Sequence, residues 1–155
     1  MSCCMERSFQ EILVGGINGE TPRKLVSVQE TGQTKRPWTE ESVWHPAWSP
    51  DGRWIAYVSW KETAQRSWNA IEVRPAGGGP AKTLVSESNL PKSSLFCYAI
   101  GFAAPCLRWS PDWRLVFSAR QAAESPSGHE SYSLWDVPVK PPTGEADGKP
   151  ERLAL

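Results

Sequence analysis

Residues 45–59 read His45-Pro46-Ala47-Trp48-Ser49-Pro50-Asp51-Gly52-Arg53-Trp54-Ile55-Ala56-Tyr57-Val58-Ser59. Residues 106–118 repeat much of this as Cys106-Leu107-Arg108-Trp109-Ser110-Pro111-Asp112-Trp113-Arg114-Leu115-Val116-Phe117-Ser118. Trp48 aligns with Trp109, Ser49 with Ser110, Pro50 with Pro111 and Asp51 with Asp112; Ser59 and Ser118 are offset by two. The chemistry predicts a hairpin. Trp48 ends one strand, proline presets φ at the second turn position, Asp51 bonds its own backbone, and Gly52 tolerates positive φ. Arg53 to Ser59 returns as a strand with Trp54, Ala56 and Val58 on one face and Ile55 and Tyr57 on the other. Both faces are apolar, so the strand is expected to be covered on both sides.

A second element also recurs. Ile12-Leu13-Val14, then Asn18-Gly19, then Leu25-Val26-Ser27 returns as Ile71-Glu72-Val73, then Gly77-Gly78, then Leu84-Val85-Ser86. Ile12 to Leu25 and Ile71 to Leu84 are each separated by 13 positions, so register is kept. A looser copy runs Leu134-Trp135-Asp136-Val137, Thr143-Gly144, Asp147-Gly148 and Leu153, with six extra residues in its loop. Ile71 to Arg74 is expected as a third strand, residues 77–80 as a turn and Lys82 to Val85 as a fourth strand. Four strands in 45–86 make a unit of about 40 residues, the size of one propeller blade. Such a blade buries both faces only when stacked between neighbours.

These residues resemble the TolB-like (WD40-like) β-propeller repeat. The likeness covers 45–86 best, 11–27 as a half blade and 105–155 as a blade with inserted loops. Residues 1–10 are expected to be disordered, 28–44 to form a connection and 87–104 an inserted connection. The resemblance implies an all-β partial propeller of about two and a half four-stranded antiparallel blades. Within the family, Leu107 to Ser118 and the stretch Leu134 to Leu153 look most like propellers linked to bacterial serine/threonine kinases. That implies a non-catalytic sensor or interaction part, extracytoplasmic or periplasmic in a larger protein. The alternatives are the gating propeller of a prolyl-oligopeptidase-type peptidase, or a TolB-type periplasmic interaction protein. Trp113 departs from the pattern, because it stands where the repeat favours glycine and a Cβ makes positive φ costly. Another turn geometry, or a less regular blade, is expected there.

Composition agrees with this outline. The chain has 155 residues with 17 Lys+Arg against 17 Asp+Glu, so no basic footprint for nucleic acid is present. Nine Trp, 14 Pro and 12 Gly combine aromatic content with frequent turn punctuation. Met1 to Gln10 has no apolar core of a signal peptide. The longest apolar stretch, Leu95 to Leu107, has 13 residues interrupted by Gly101 and Pro105, too few to cross a bilayer as a helix. No membrane insertion by this chain is expected. Cys3, Cys4, Cys97 and Cys106 have no zinc spacing. Cys97 and Cys106 are either a disulfide, in an oxidising compartment, or buried thiols.

Catalytic motifs are absent from the sequence. Gly52 directly follows Asp51, against the spacing of a sialidase-type Asp box. Trp135-Asp136 lacks the upstream Gly-His of a WD repeat, and Gly77 to Gly79 lacks the helix and Lys-Ser/Thr of a phosphate loop. Neither the kinase elements nor a Gly-x-Ser-x-Gly elbow occurs. His45 and His129 read as solvated or turn residues, and Asp51 and Asp112 as turn caps. No enzyme activity, cofactor or metal site is expected. The repeated Trp48 and Trp109 read as packing residues, whereas Trp38, Trp60 and Trp68 lie outside the repeated register and are the candidate contact surface. A protein or small ligand is the expected partner. An incomplete stack also leaves apolar faces open, so self-association is expected.

Overall fold

A computed structural model of the protein describes residues 11–16, 18, 20–27, 40–62, 65, 67–90, 93–94, 107–121 and 131–154. The strands in chain order are β1 (Glu11–Val14), β2 (Arg23–Ser27), β3 (Glu40–Trp48), β4 (Trp54–Glu62), β5 (Ser67–Pro75), β6 (Lys82–Ser86), β7 (Ser93–Ser94), β8 (Leu107–Trp109), β9 (Arg114–Gln121), β10 (Ser131–Pro138) and β11 (Glu151–Arg152). A single 3-10 turn, Glu87–Asn89, follows β6, and no α-helix occurs among the described residues. The fold is all-β. Residues 1–10, Trp38, His129 and the four cysteines lie outside the described residues.

The strands form a β1-β2 hairpin, a four-stranded meander in the order β3-β4-β5-β6, and a second sheet in the order β11-β10-β9. Both β7 and β8 pair with β9, β7 opposite Gln121 and Arg120 and β8 opposite Phe117 to Leu115. They share one edge position of the second sheet. All pairings are antiparallel.

Consecutive apolar residues decide the register of the repeated hairpins. In β1-β2, Ile12 faces Val26 and Leu13 faces Lys24, so Leu25 is the extra residue of a bulge. In β5-β6, Ile71 faces Val85 and Glu72 faces Thr83, leaving Leu84 in the same place. Strict alternation would bury only one of each Leu-Val pair. The bulge turns both inward, and Leu25, Val26, Leu84 and Val85 are all buried. The 13-residue spacing in the sequence is thus a repeated bulge geometry.

β3 begins at Glu40, five residues before the repeat becomes legible at His45, because Glu40 to Trp44 continue the ladder opposite Glu62 to Val58. His45 sits inside β3, with φ 53°, where the ladder breaks between Trp44 and Ala47. Pro46 has no N–H to give a ladder, so the break falls there.

The layers stack as hairpin, four-stranded sheet, second sheet. Trp54, Ala56, Val58, Ile71 and Val73 pack with Leu107, Leu115, Phe117, Ala119, Trp135 and Val137 in one core. Ile55, Tyr57 and Val43 pack with Ile12, Leu25 and Val26 in another. β4 is therefore buried on both faces, as its two-sided apolar sequence requires. β3 of the four-stranded sheet lies beside β8, an edge strand of the second sheet. The β10–β11 loop closes over the junction: the Trp54 indole N–H donates to Pro141 O at 2.9 Å and Lys82 Nζ to Thr143 O at 2.8 Å.

Candidate interaction surface

Each Ser-Pro-Asp turn is held by its serine. Ser49 Oγ accepts from the Trp54 N–H at 3.0 Å and donates to Asp51 Oδ1 at 2.7 Å, which also accepts from the Arg53 N–H at 3.0 Å. Burial works to raise the Asp51 pKa. The hydrogen bonds from Arg53 N–H and Ser49, with the Arg53 charge, outweigh it and hold the carboxyl below its usual value. Asp51 is a turn cap. In the second turn, Ser110 Oγ accepts from the Arg114 N–H at 3.1 Å.

Trp113 keeps the positive φ of the repeat, and the different turn geometry expected there lies in the turn's length. Trp113 takes φ 63°, matching 69° at Gly52, and its N–H donates to Ser110 O at 3.2 Å as Gly52 N–H does to Ser49 O at 3.0 Å. The indole supplies a compensating contact, stacking edge-on against Trp109 with ring centroids 5.6 Å apart. The second turn is instead one residue tighter, since Trp109 faces Leu115 whereas Trp48 faces Ile55.

The two repeated tryptophans have different surroundings. Trp109 packs against the shared core and donates its indole N–H to Ala47 O at 3.1 Å. Trp48 is 51% exposed although its cross-strand partner Ile55 is buried beneath the hairpin. At the opposite end, Tyr132 and Leu134 are 40% and 38% exposed on the outer face of the second sheet. A cleft of about 420 Å³ there is lined by Tyr132, Ser133, Leu134, Arg152, Leu153 and Ala154. Beside it, Asp136 is buried in an ion pair with Arg114, whose Nη2 lies 2.7 Å from Asp136 Oδ1.

Trp60 and Trp68, the described members of the expected contact surface, are half-buried. Trp60 lies against Trp44 with centroids 6.2 Å apart, and Trp68 faces Lys61 across β4-β5. They do not join Trp48, Tyr132 or Leu134, which are among the large apolar side chains most open to solvent. Sequence reasoning read Trp48 as a packing residue because it lies in the repeated register. A signal was present nonetheless: the stretch 11–27 is long enough for only the two strands β1 and β2, against four in 40–86.

A polar group lies under the hairpin. Tyr57 Oη donates to Glu72 Oε2 at 3.0 Å, and Lys61 Nζ lies 3.3 Å from Glu72 Oε1. Burial, then the Glu72 charge, pushes the Tyr57 hydroxyl far above its usual value, so it keeps its proton. The buried hydroxyls of Ser59, Ser118 and Ser133 have no hydrogen-bond partner among the described residues, so none is paired with a base as an activated nucleophile is. Among the described residues no three His, Cys, Asp or Glu side chains gather as a metal site requires, and no helix is long and apolar enough to cross a membrane. No family model, curated protein or solved structure matches the chain.

Proposed function

We propose that the chain is a non-catalytic β-propeller segment that acts by contact, as part of a kinase-linked bacterial sensor propeller. The observation that carries this reading is the repeat in three dimensions: bulged hairpins in one register, and a four-stranded meander sandwiched between the two outer layers. The close approach of the edge strands β3 and β8 supports it, since the blades of a propeller surround a common central channel. The kinase-linked assignment rests on the resemblance of Leu107 to Ser118 and Leu134 to Leu153, and the exposed Trp48, Tyr132 and Leu134 supply contact surface.

The test is on the locus and on the purified chain together. Sequencing outward is expected to find a kinase catalytic domain in frame, while an α/β-hydrolase domain would overturn the sensor assignment in favour of a peptidase gate. Incubation with ATP, Mg²⁺ and an acceptor protein, and separately with fluorogenic prolyl peptides, is expected to give no turnover. Turnover that follows the pure protein through a second column overturns the non-catalytic reading.

A further inference from the structure

The second sheet ends on an open ladder. β11 pairs with Trp135 and Asp136 of β10 and stops at Arg152. Leu153 N–H still donates to Leu134 O at 2.9 Å, and pairing goes no further among the described residues. That bond shows that Leu134 O turns away from β9, toward the β11 side. Alternate residues of an antiparallel strand turn their N–H and C=O to the same side. The β9–β10 register is unbroken, so the Tyr132 N–H and C=O face the β11 side as well. Neither has a partner among the described residues. The cleft of about 420 Å³ lies here, between Tyr132 to Leu134 and Arg152 to Ala154. Ser133 in its wall is buried, and its hydroxyl has no partner among the described residues. Arg152 has no ion pair among the described residues, while Glu151 beside it lies 3.9 Å from Arg114 Nη2.

We infer that this edge takes up an extended, acidic peptide segment of a partner protein, which adds to β10 as an antiparallel strand in line with β11. A free N–H and C=O on one residue call for an acceptor and a donor from another backbone, so the complement of this cleft is a strand. Its side chains must alternate. Cross-strand partners share a face, so the residue opposite Tyr132 joins the exposed Tyr132 and Leu134 and is apolar. The residue opposite Ser133 falls on the face of Trp135 and of its partner Arg152. A carboxylate there meets the unpaired guanidinium. The stacking of layers leaves this edge open. β11 lies on the edge of the second sheet away from β3, and neighbouring layers cover sheet faces rather than that edge. This deepens the contact-module reading by naming the partner's chemistry, and rests on that reading.

The probe is a hexapeptide of alternating valine and glutamate, amidated and carrying fluorescein at its N-terminus, titrated with the full chain. Saturable binding by anisotropy is expected, about tenfold or more tighter than for the valine–lysine counterpart. The chain's formal net charge is zero, so that preference reads the charge at the cleft. Arg152→Glu should reverse it. Main-chain pairing makes a further demand. Methylating the valine amides, which face β10 opposite Tyr132, should weaken binding about tenfold or more, whereas methylating the glutamate amides, which face away, should not. Hydrogen exchange followed by NMR should find the Tyr132 amide open in the free chain and slowed by the peptide. No binding of the valine–glutamate peptide overturns the inference, as does binding without charge preference, indifference to valine methylation, or a Tyr132 amide already protected in the free chain. Far-UV circular dichroism checks the fold, and Arg152→Ser, which should erase the preference, replaces Arg152→Glu should that variant misfold. Turnover or a hydrolase neighbour would overturn the proposed function and leave peptide binding standing; a chain that binds no peptide would do the reverse.

Discussion

Trp113 sets backbone strain against packing. A non-glycine residue at φ 63° costs about 1–2 kcal/mol. Removing a packed indole costs more, about 3–5 kcal/mol for Trp→Ala when fully buried. Trp113 is half-buried, so part of that penalty applies. Trp113→Gly is therefore expected to relieve the strain yet lower stability by about 1–3 kcal/mol net, read as a lower urea midpoint with unchanged slope. A variant more stable than wild type would show that strain outweighs the stack on Trp109. The residue type was legible as an anomaly in the sequence. Its resolution was not, because the compensating ring belongs to a strand whose side chains meet Trp113 only after the hairpin closes.

The β10–β11 loop is the element that locks one sheet onto the other, and Gly144 is where it touches. Gly144 has φ 66°, and a Cβ there would lie 2.7 Å from the Trp54 ring. Gly52 has φ 69° and open space around it. Gly52→Ala should thus lose only the backbone term, about 1–2 kcal/mol, while Gly144→Ala adds overpacking and should lose about 2–4 kcal/mol. Denaturation of the pair separates the terms; equal losses would mean the loop yields without cost. The sequence marked Thr143-Gly144 as a turn of the third repeat. That this turn seats on Trp54, with Lys82 reaching Thr143 O and Glu145, depends on the stacking of two sheets distant in the chain.

The whole molecule shares cores across its layers, and this predicts how it unfolds. Phe117 is buried between the two sheets in the cluster that also holds Val58 and Ile71. Phe117→Ala should remove about 3–5 kcal/mol and lower both sheets together. Tryptophan near-UV and far-UV circular dichroism should then give coincident transitions in wild type and variant. Two separated transitions would mean that the sheets fold independently and that the shared core is energetically minor. Exposure is set at this scale too, since among the described residues nothing packs over Trp48 or Leu134 closely enough to bury them.

Local chemistry by itself determined the all-β class, the two Ser-Pro-Asp turns, the two-faced burial of Trp54 to Val58 and the repeated hairpins. Each follows from neighbours in the chain: turn residues, alternation of period two, and a fixed 13-residue spacing. Tertiary structure alone decided which repeated tryptophan is buried. Trp48 and Trp109 precede the same Ser-Pro-Asp triplet, so nothing local separates them. Burial is a property of the layer opposite, and Trp109 faces a four-stranded sheet where Trp48 faces a hairpin half that width.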